Sequence, residues 1–481
     1  VLPLTAAPLC FLMPRGRLAW LVALVVSWLA FAIALVLLAQ TLEEGVVSYA
    51  MGGWQPPIGI EYRVDPVNAI MLLIVAGTGA LMMPYARTSV EREIPARNQG
   101  LFYTAYLLCL TGLLGIAITG DAFNVFVFLE ISSLSTYALI SLGRDRRALT
   151  AAYQYLIMGT IGATFILIGI GMLYMMTGTL NMADLAMRVP QVADTRTVQA
   201  AFAFLTVGIS LKLALFPLHL WLPNAYAFAP SVVTAFLAAT ATKVAVYLLL
   251  RFFFTVFGAW SFETLRLDWI LMPLALVGIV SASVVAIFES DVKRMLAYSS
   301  VAQIGYMILG IRFGSVLGVT AGILHLFNHA LMKGALFLAL GCVAYRLGSV
   351  ELTRLAGLGR QMPWTMAAFV VAGLSLVGVP LTAGFVSKWY LVLGALEHGW
   401  WPVALLVLLT SLLALAYIWR VVEVAYFRAI PESSTQIREA PLSLLIPTWV
   451  LAAANLLFGI DASLTTQIAG RAAGILLGAG P

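Results

Sequence analysis

Long apolar runs, separated by short polar loops, recur along the whole chain. A run of about 20 apolar residues is long enough to cross a bilayer as a helix. Counting these runs predicts an all-α polytopic membrane protein with about fourteen spans. The predicted spans are 1–13, 18–39, 64–84, 99–118, 122–142, 150–176, 198–226, 230–257, 269–288, 293–312, 316–345, 364–396, 402–427 and 441–460.

Two of the predicted spans contain helix-breaking residues. Pro217 interrupts the seventh span, and Gly378-Val379-Pro380 interrupts the twelfth. These spans are an odd number of crossings apart, so the units that contain them have opposite topology. Paired interruptions of this kind indicate inverted repeats with a site near mid-membrane. The predicted parts are a three-helix segment at 1–98, five-helix repeats at 99–257 and 269–428, and a C-terminal helix and tail at 429–481.

Composition agrees with a membrane protein and limits the possible partners. Apolar residues make up 62% of the chain and charged residues 10%, against about 25% charged in soluble domains. The net charge of +6 gives no indication of a nucleic-acid partner, because the basic residues lie in short loops. The run at 2–13 is short and has no basic region before it. We therefore expect an incomplete or differently started first helix rather than a signal peptide.

The loops divide the basic residues unequally, which predicts an orientation. With the N-terminus outside, sixteen Lys and Arg fall on the inside and seven on the outside. Cytoplasmic loops carry the excess of basic residues, so both termini are predicted outside the bacterial cytoplasmic membrane. Four basic residues remain, and all lie within spans: Lys212, Lys243, Lys333 and Lys388.

Glu130 is the one carboxylate near the middle of a predicted span. A carboxylate or a lysine at that depth costs about 2.5–3.5 kcal/mol on insertion scales. Burial favours a neutral lysine, whereas a nearby carboxylate favours a charged one. A lysine whose acidic partner can move away is thus a proton carrier, although a static ion pair is the alternative. Four lysines with a single acid favour a function.

Histidines accompany these lysines. His325, His329 and Lys333 are spaced i, i+4, i+8 and share one helix face, which suits a proton relay. Two histidines could also bind a metal, but no third ligand accompanies them; hydrogen bonds to neighbouring helices are the structural alternative. His219 directly follows the break. It could bond carbonyls freed by the break or link Lys212 to Lys243.

Other polar residues near span ends have simpler interpretations. Lys388 follows Pro380 by eight residues in a run that stays apolar, which predicts a deep position. Asp121 begins the fifth span and predicts a helix cap. Lys293, in ESDVKR, is interpreted first as a topogenic anchor and second as a proton entry. No phosphate loop, haem ligand pair, nucleotide fingerprint or nucleophile triad occurs, so no cofactor is predicted, and the three cysteines are expected to be core thiols.

Six motifs together resemble the antiporter-like family shared by respiratory complex I, energy-converting hydrogenases and multi-subunit Mrp-type Na+/H+ antiporters. They are GDAFNVFVFLE (120–130), TGTLNMADLA (177–186), KLALFPLHLWLPNAY (212–226), DVKRMLAYSSVAQIGY (291–306), HLFNHALMKGALF (325–337) and GVPLTAGFVSK (378–388). The first two look most like the D subunit of Mrp antiporters, and the last is also similar to a complex I subunit.

The resemblance implies fourteen helices, two inverted five-helix repeats and broken seventh and twelfth helices. It implies that Glu130 and Lys212 are partners on the fifth and seventh helices. It further implies a central Lys243, a terminal Lys388, and a connecting polar axis formed by His325, His329 and Lys333. Lys388 matches the D subunit of Mrp antiporters, whereas a complex I relative has Glu at that position.

From the residues and the resemblance we expect a proton-translocating subunit of a multi-subunit Na+/proton antiporter, a transporter subunit rather than an enzyme. The expected partners are other membrane subunits, protons, Na+ and the bilayer. The alternative is a proton-pumping subunit of an NADH-quinone oxidoreductase or energy-converting hydrogenase; a passive scaffold is a third possibility. No cluster of acidic oxygens lies within the spans, so we expect the cation to cross elsewhere in the complex.

Overall fold

The structure is a computed structural model that describes residues 1–13, 16–259, 268–429 and 437–478. It consists of packed helices and one small hairpin. The helices are α1 (Leu2–Leu12), α2 (Gly16–Glu44), α3 (Pro66–Glu93), α4 (Gln99–Ile118), α5 (Ala122–Ser141), α6 (Arg147–Thr177), α7 (Met182–Arg188), α8 (Arg196–Leu213), α9 (Trp221–Phe228), α10 (Ser231–Leu250), α11 (Asp268–Phe288), α12 (Val292–Arg312), α13 (Val316–Leu347), α14 (Leu358–Gln361), α15 (Pro363–Val377), α16 (Ala383–Glu397), α17 (Trp401–Val422), α18 (Leu442–Ile460) and α19 (Ser463–Leu476). The strands are β1 (Val47–Ala50) and β2 (Glu61–Val64).

The predicted polytopic helical fold is confirmed. Within the described ranges, ten helices are long and apolar enough to cross a membrane. The remaining predicted spans correspond to α1, to α12 and to two broken pairs, α8 with α9 and α15 with α16. Helix ends differ from the prediction by several residues in places. For example, α3 continues to Glu93 rather than ending at 84, because helical geometry persists through polar residues that hydropathy excludes from a span.

Both breaks contain residues whose backbone conformation is incompatible with a regular α-helix. In the first, Ala214 takes a left-handed conformation with φ 60°, and Pro217 has no N–H to donate to a helical bond. In the second, Gly378 has φ 90° and Leu381 has φ 69°. Glycine adopts positive φ without a Cβ penalty, which explains its place at the end of α15.

An equivalent isolated β-bridge occurs on each face of the bundle, in addition to a Tyr62–Thr119 bridge next to the hairpin. On the face with the β1–β2 hairpin, here called the hairpin face, Asp121 before α5 pairs with Asn181 after α6. On the opposite face, Asp291 before α12 pairs with Glu351 after α13. Each aspartate caps its helix, because Asp121 accepts from the N–H of Asn124 at 2.7 Å, as predicted, and Asp291 accepts from that of Arg294 at 2.9 Å. The same motif on opposite faces is the local signature of an inverted repeat.

Several elements were not predicted from sequence. They are the hairpin β1–β2 with antiparallel register and the C-terminal helix α19, and the short helices α7 and α14 were not predicted either. The buried side of α19 is rich in small residues, Ala469, Ala472 and Ala473 among them, and packs against α3 and α13. In turn, α13 lies at the centre of the bundle, where it contacts α10, α12, α15, α16, α18 and α19. A central position for α13 puts its His and Lys side chains in the protein interior.

Candidate functional site

The predicted site residues fall into three groups along the bundle interior. Glu130 and Lys212 lie at the first break, Lys388 lies at the second, and Lys243, His325, His329 and Lys333 lie between them on α10 and α13. All four lysines are buried. His219 lies in the segment that joins α8 to α9.

The first group shares one site but lacks the direct ion pair expected from the resemblance. Lys212 is in the last turn of α8, and its Nζ donates to Ser133 Oγ at 2.8 Å. Ser133 follows Glu130 by three residues on α5, so the two side chains point to the same side of that helix. Glu130 is half-buried, and its Oε1 is buried without a hydrogen-bond partner. Its charge still acts electrostatically on Lys212, and Ser133 occupies the direct contact.

A small cavity adjoins Lys212. It has a volume of about 30 Å³ and is lined by Ser133, Thr136, Tyr155 and Lys212 along with apolar residues of α4, α5 and α10. A cavity needs about 10–15 Å³ to accept a water molecule, together with polar partners. This one has both, so it could hold water against the Lys212 ammonium.

Of the two roles considered for His219 from sequence, the structure supports the first, because the ring interacts with the backbone of Pro217 at the break. Its ring stacks on Phe216 with centroids 5.4 Å apart and lies edge-on to Tyr298 at 6.3 Å. Its Nδ1 is buried without a hydrogen-bond partner, and the hydrogen bonds of Lys212 and Lys243 go to other groups. A further carbonyl freed by the break is bound by Trp221, whose Nε1 donates to Leu211 O at 3.0 Å. Sequence reasoning missed Trp221, although its place in HLWLP next to the break was a usable signal.

The central lysines, Lys243 and Lys333, are both fully buried. The Nζ of Lys243 donates to Ala238 O at 2.5 Å and to Thr242 Oγ1 at 3.5 Å. The Nζ of Lys333 donates to Leu296 O at 2.7 Å and to the hydroxyl of Ser299. Among the described residues neither ammonium contacts a carboxylate, so carbonyl and hydroxyl oxygens alone solvate them.

The two histidines of α13 differ in the hydrogen bonds of their ring nitrogens. His325 is held on both sides, with Nδ1 2.9 Å from Ser387 Oγ and Nε2 3.0 Å from Gln303 Oε1. His329 is fully buried, and neither of its ring nitrogens has a hydrogen-bond partner. The two rings are parallel, with centroids 6.2 Å apart. The i, i+4 spacing thus places them side by side as predicted, whereas only His325 makes the helix-linking bonds of the structural alternative.

Lys388 is buried as predicted, and it reaches back across the second break. Its Nζ donates to the carbonyls of Leu376 and Val377 at 3.0 and 2.9 Å and to Ser411 Oγ at 3.1 Å. The ammonium also lies 5.1 Å from the centroid of the Tyr306 ring. These carbonyls are at the C-terminal end of α15, where the helix dipole favours a cation. Lys388 therefore caps the half-helix that precedes it.

The arrangement offers proton exchange and little other chemistry. Lysine and histidine can each take or release one proton, and they line the interior from one break to the other. Across the described ranges, no group of three or more His, Cys, Asp or Glu is placed to hold a metal ion. Lys293, interpreted from sequence first as a topogenic anchor, is buried, and its Nζ donates to Ala229 O at 3.2 Å.

Comparison with known proteins identifies the family. A family profile described as NADH:quinone oxidoreductase/Mrp antiporter, TM, matches residues 119–414. The chain is 44% identical over 441 residues to the N subunit of the NADH-quinone oxidoreductase of Desulforudis audaxviator, covering 88% of this chain and 87% of that one. It is 30% identical over 431 residues to the D subunit of the Na(+)/H(+) antiporter of Alkalihalophilus pseudofirmus, covering 89% and 86%.

A solved structure gives the same result for the whole fold. The chain superposes on a chain in the structure of the Mrp complex from Dietzia sp. with a TM-score of 0.90 and 27% identity, covering 99% of this chain and 96% of that one. Profile, sequence and fold agree over most of the length, and they confirm the resemblance seen in the six motifs. The chain belongs to the NADH:quinone oxidoreductase/Mrp antiporter transmembrane family.

Proposed function

We propose that this chain is the proton-translocating subunit of a multi-subunit monovalent cation/proton antiporter. One observation supports the proposal above all: a row of buried basic side chains joins two broken helices, with a single carboxylate at one end. Intramembrane ionisable groups of this kind mark ion pathways and proton relays. In this proposal protons pass from Glu130 and Lys212 to Lys243, then through His329 and Lys333 to Lys388.

The first break supplies the switch in this proposal. Glu130 and Lys212 are close enough to interact but are separated by Ser133. When the carboxylate approaches the ammonium, the charged lysine is stabilised; when it withdraws, desolvation favours release of the proton. The unbonded Oε1 of Glu130 leaves it able to make that approach. His325, held on both sides, is assigned to positioning rather than to carrying protons.

The partners and the exchanged cation in this proposal are inferred from the named relatives. One is a subunit of an Na(+)/H(+) antiporter, and the solved structure is an Mrp complex, so we propose hetero-oligomeric membrane partners and Na+ as the exchanged cation. We place the chain in a bacterial cytoplasmic membrane with the hairpin face outside, because the opposite face carries most of the basic residues. The repeat boundaries at 99–257 and 269–428 belong to the same proposal.

Replacement of Lys212 by Ala tests the proposal in everted vesicles that contain the complete complex. We expect cation-driven proton movement, followed with a pH-sensitive dye, to fall to background, because a carrier at one end of the row is lost. Arg196→Ala, at the solvent end of the same helix, is the matched control and should exchange normally. Co-purification of the partner subunits checks assembly. Exchange at the wild-type rate in Lys212→Ala would sink the proposal and favour a scaffold.

A second candidate is favoured by the 44% identity to the N subunit of an NADH-quinone oxidoreductase. In that case the same residues would move protons, but electron transfer in partner subunits would drive them. Mild-detergent purification with a tag on this chain decides between the two. Iron–sulfur proteins in the purified complex would favour the oxidoreductase, and membrane subunits alone would favour the antiporter.

A further inference from the structure

A large cavity opens on the hairpin face, away from both breaks. Its volume is about 410 Å³, and its polar lining includes Asp65, Asn68, Thr119, Tyr247, Arg251 and Thr255. None of these residues was singled out as a site residue from sequence. Tyr247 lies in the last turn of α10, one turn nearer the hairpin face than Lys243. The cavity therefore extends inward past the C-terminal end of α10.

Tyr247 connects this cavity to the central lysine by helix geometry. Lys243, Tyr247 and Arg251 are spaced i, i+4, i+8 and so follow one face of α10. Each step of four residues rises about 6 Å. The Cα atom of Tyr247, a residue of the cavity lining, is therefore a single helical turn from that of Lys243, the central basic group of the row.

The floor of the cavity is a hydrogen-bonded cluster rather than an apolar seal. Tyr247 Oη donates to Ala117 O at 3.0 Å and accepts from Arg251 Nε at 2.9 Å. Arg251 also donates through Nη2 to Asp65 Oδ1 at 2.5 Å, and both side chains of this ion pair are less than a tenth exposed. Burying an ion pair is costly, and removing one partner of such a pair is costlier still. Its presence at this depth calls for an explanation.

The carboxylate of Asp65 can accept further hydrogen bonds. The hydrogen bonds to its carboxylate, from the N–H groups of Val67 and Asn68 and from Arg251, all go to Oδ1. Within the described part of the chain, no such bond goes to Oδ2, and Asp65 lines the cavity. A carboxylate oxygen is thus available at the cavity wall, beside the tyrosine hydroxyl.

We propose that Tyr247, held by the Arg251–Asp65 pair, forms a proton portal between Lys243 and the cavity on the hairpin face. This inference rests on the proposed function. The Lys243 ammonium gives a proton to the Tyr247 oxygen while the hydroxyl proton leaves for the cavity, where Asp65 accepts and releases it. The products are a neutral amine and a neutral tyrosine, so the protons balance.

The structure shows the portal closed. Lys243 Nζ bonds to Ala238 O, on the side of the helix turn away from Tyr247. In the proposed open state the flexible Lys243 side chain, with four methylene groups, turns toward Tyr247. Arg251 then serves a second purpose, since a fixed positive charge at the floor opposes entry of metal cations from the cavity.

Tyr247→Phe in the complete complex tests the portal, because it keeps the ring and removes the hydroxyl. We expect proton exchange about tenfold slower, a modest share of what a positioned proton-transfer group contributes, with assembly unchanged. Tyr106→Phe is the matched control, since Tyr106 is equally buried and donates to a carbonyl, Gly79 O at 2.8 Å, but does not line the cavity.

A second measurement applies if Tyr247→Phe fails to assemble. Thr255→Cys places a thiol in the cavity wall, and a membrane-impermeant methanethiosulfonate should block exchange only when added to the hairpin-face side. Gln55→Cys, exposed on the same face but outside the cavity, should be modified without effect. The three natural cysteines are buried.

The outcomes separate the portal from the proposed function. If Lys212→Ala abolishes exchange while Tyr247→Phe and modified Thr255→Cys exchange normally, the portal is overturned and the function stands. If Lys212→Ala exchanges normally, both fall. Loss of exchange in Lys212→Ala and in modified Thr255→Cys, together with about tenfold slower exchange in Tyr247→Phe and normal exchange in both controls, supports the portal.

Discussion

The two broken helices hold their lysines in opposite ways. Lys212 precedes its break, and its ammonium rests on a side-chain hydroxyl, Ser133, with Glu130 nearby. Lys388 follows its break, and its ammonium rests on two main-chain carbonyls at the end of α15. Similar interruptions in two inverted units thus give one lysine side-chain partners and the other mainly backbone partners.

This difference separates a variable environment from a fixed one. A carboxylate on a side chain can approach or withdraw by a change of rotamer, whereas the carbonyls at a helix end stay where the helix puts them. Under the proposed function, the first break can change the affinity of its lysine for a proton, and the second provides a constant affinity. The following predictions test that division.

Glu130→Gln should have the largest effect, because it removes the variable charge and keeps the side-chain shape. We expect exchange to fall about a hundredfold, the size of effect typical when a proton-transfer group is lost. Dye-monitored exchange in everted vesicles measures it, with Glu43→Gln, exposed at the end of α2, as control. Normal exchange in Glu130→Gln would show that the first break is as fixed as the second.

Gly378→Ala should have an intermediate effect, confined to the second break. A Cβ there would lie 2.9 Å from Lys388 Cδ, and φ is +90°, a region that costs L residues about 1–2 kcal/mol. The side chain of Lys388 must shift from its carbonyls, so we expect about tenfold slower exchange and a lower melting temperature. Gly171→Ala, where no atom lies within 4 Å of the added Cβ, should change neither. An unchanged exchange rate with a lowered melting temperature would argue against a transport role for the Lys388 cap.

Ser133→Ala should have the smallest effect and would sharpen the comparison. It removes the hydroxyl that separates Lys212 from Glu130, and the loss of one hydrogen bond to a charged group is worth about 1.5–3 kcal/mol. The freed carboxylate can replace that bond, so we expect only a few-fold change in exchange rate. Ser141→Ala in the last turn of α5 is the control. A loss as severe as that of Glu130→Gln would make Ser133 itself part of the proton route.

The sequence predicted the helices and the ionisable groups well, for the same physical reason. Charge within an apolar run is costly in a membrane, so Lys243 and Lys333 stand out as clearly as the runs themselves. The hairpin β1–β2 and α19 were missed because neither has a long apolar run; α19 packs through alanines, which carry little hydropathy signal.

Contacts within the site were beyond sequence analysis. Ser133, Gln303, Ser387 and Ser411 make the bonds that hold Lys212, His325 and Lys388, yet each is a common polar residue with no signal of its own. Whether Lys212 meets Glu130 or Ser133 depends on one turn of α5, which spacing along the chain does not determine. The direction of the His219 ring likewise follows the path of the break, which spacing along the chain does not determine.

Lys243 and Lys333 are solvated by carbonyl and hydroxyl oxygens rather than by carboxylates, and this affects how protons would move between them. The charge of Lys243 acts electrostatically on Lys333, and carbonyl and hydroxyl oxygens leave no countercharge to mask that repulsion. Under the proposed function, a proton that arrives on one lysine therefore favours release of a proton from its neighbour, with the unbonded His329 beside them. Proton movement through the interior would then be concerted, with uptake at one end and release further along.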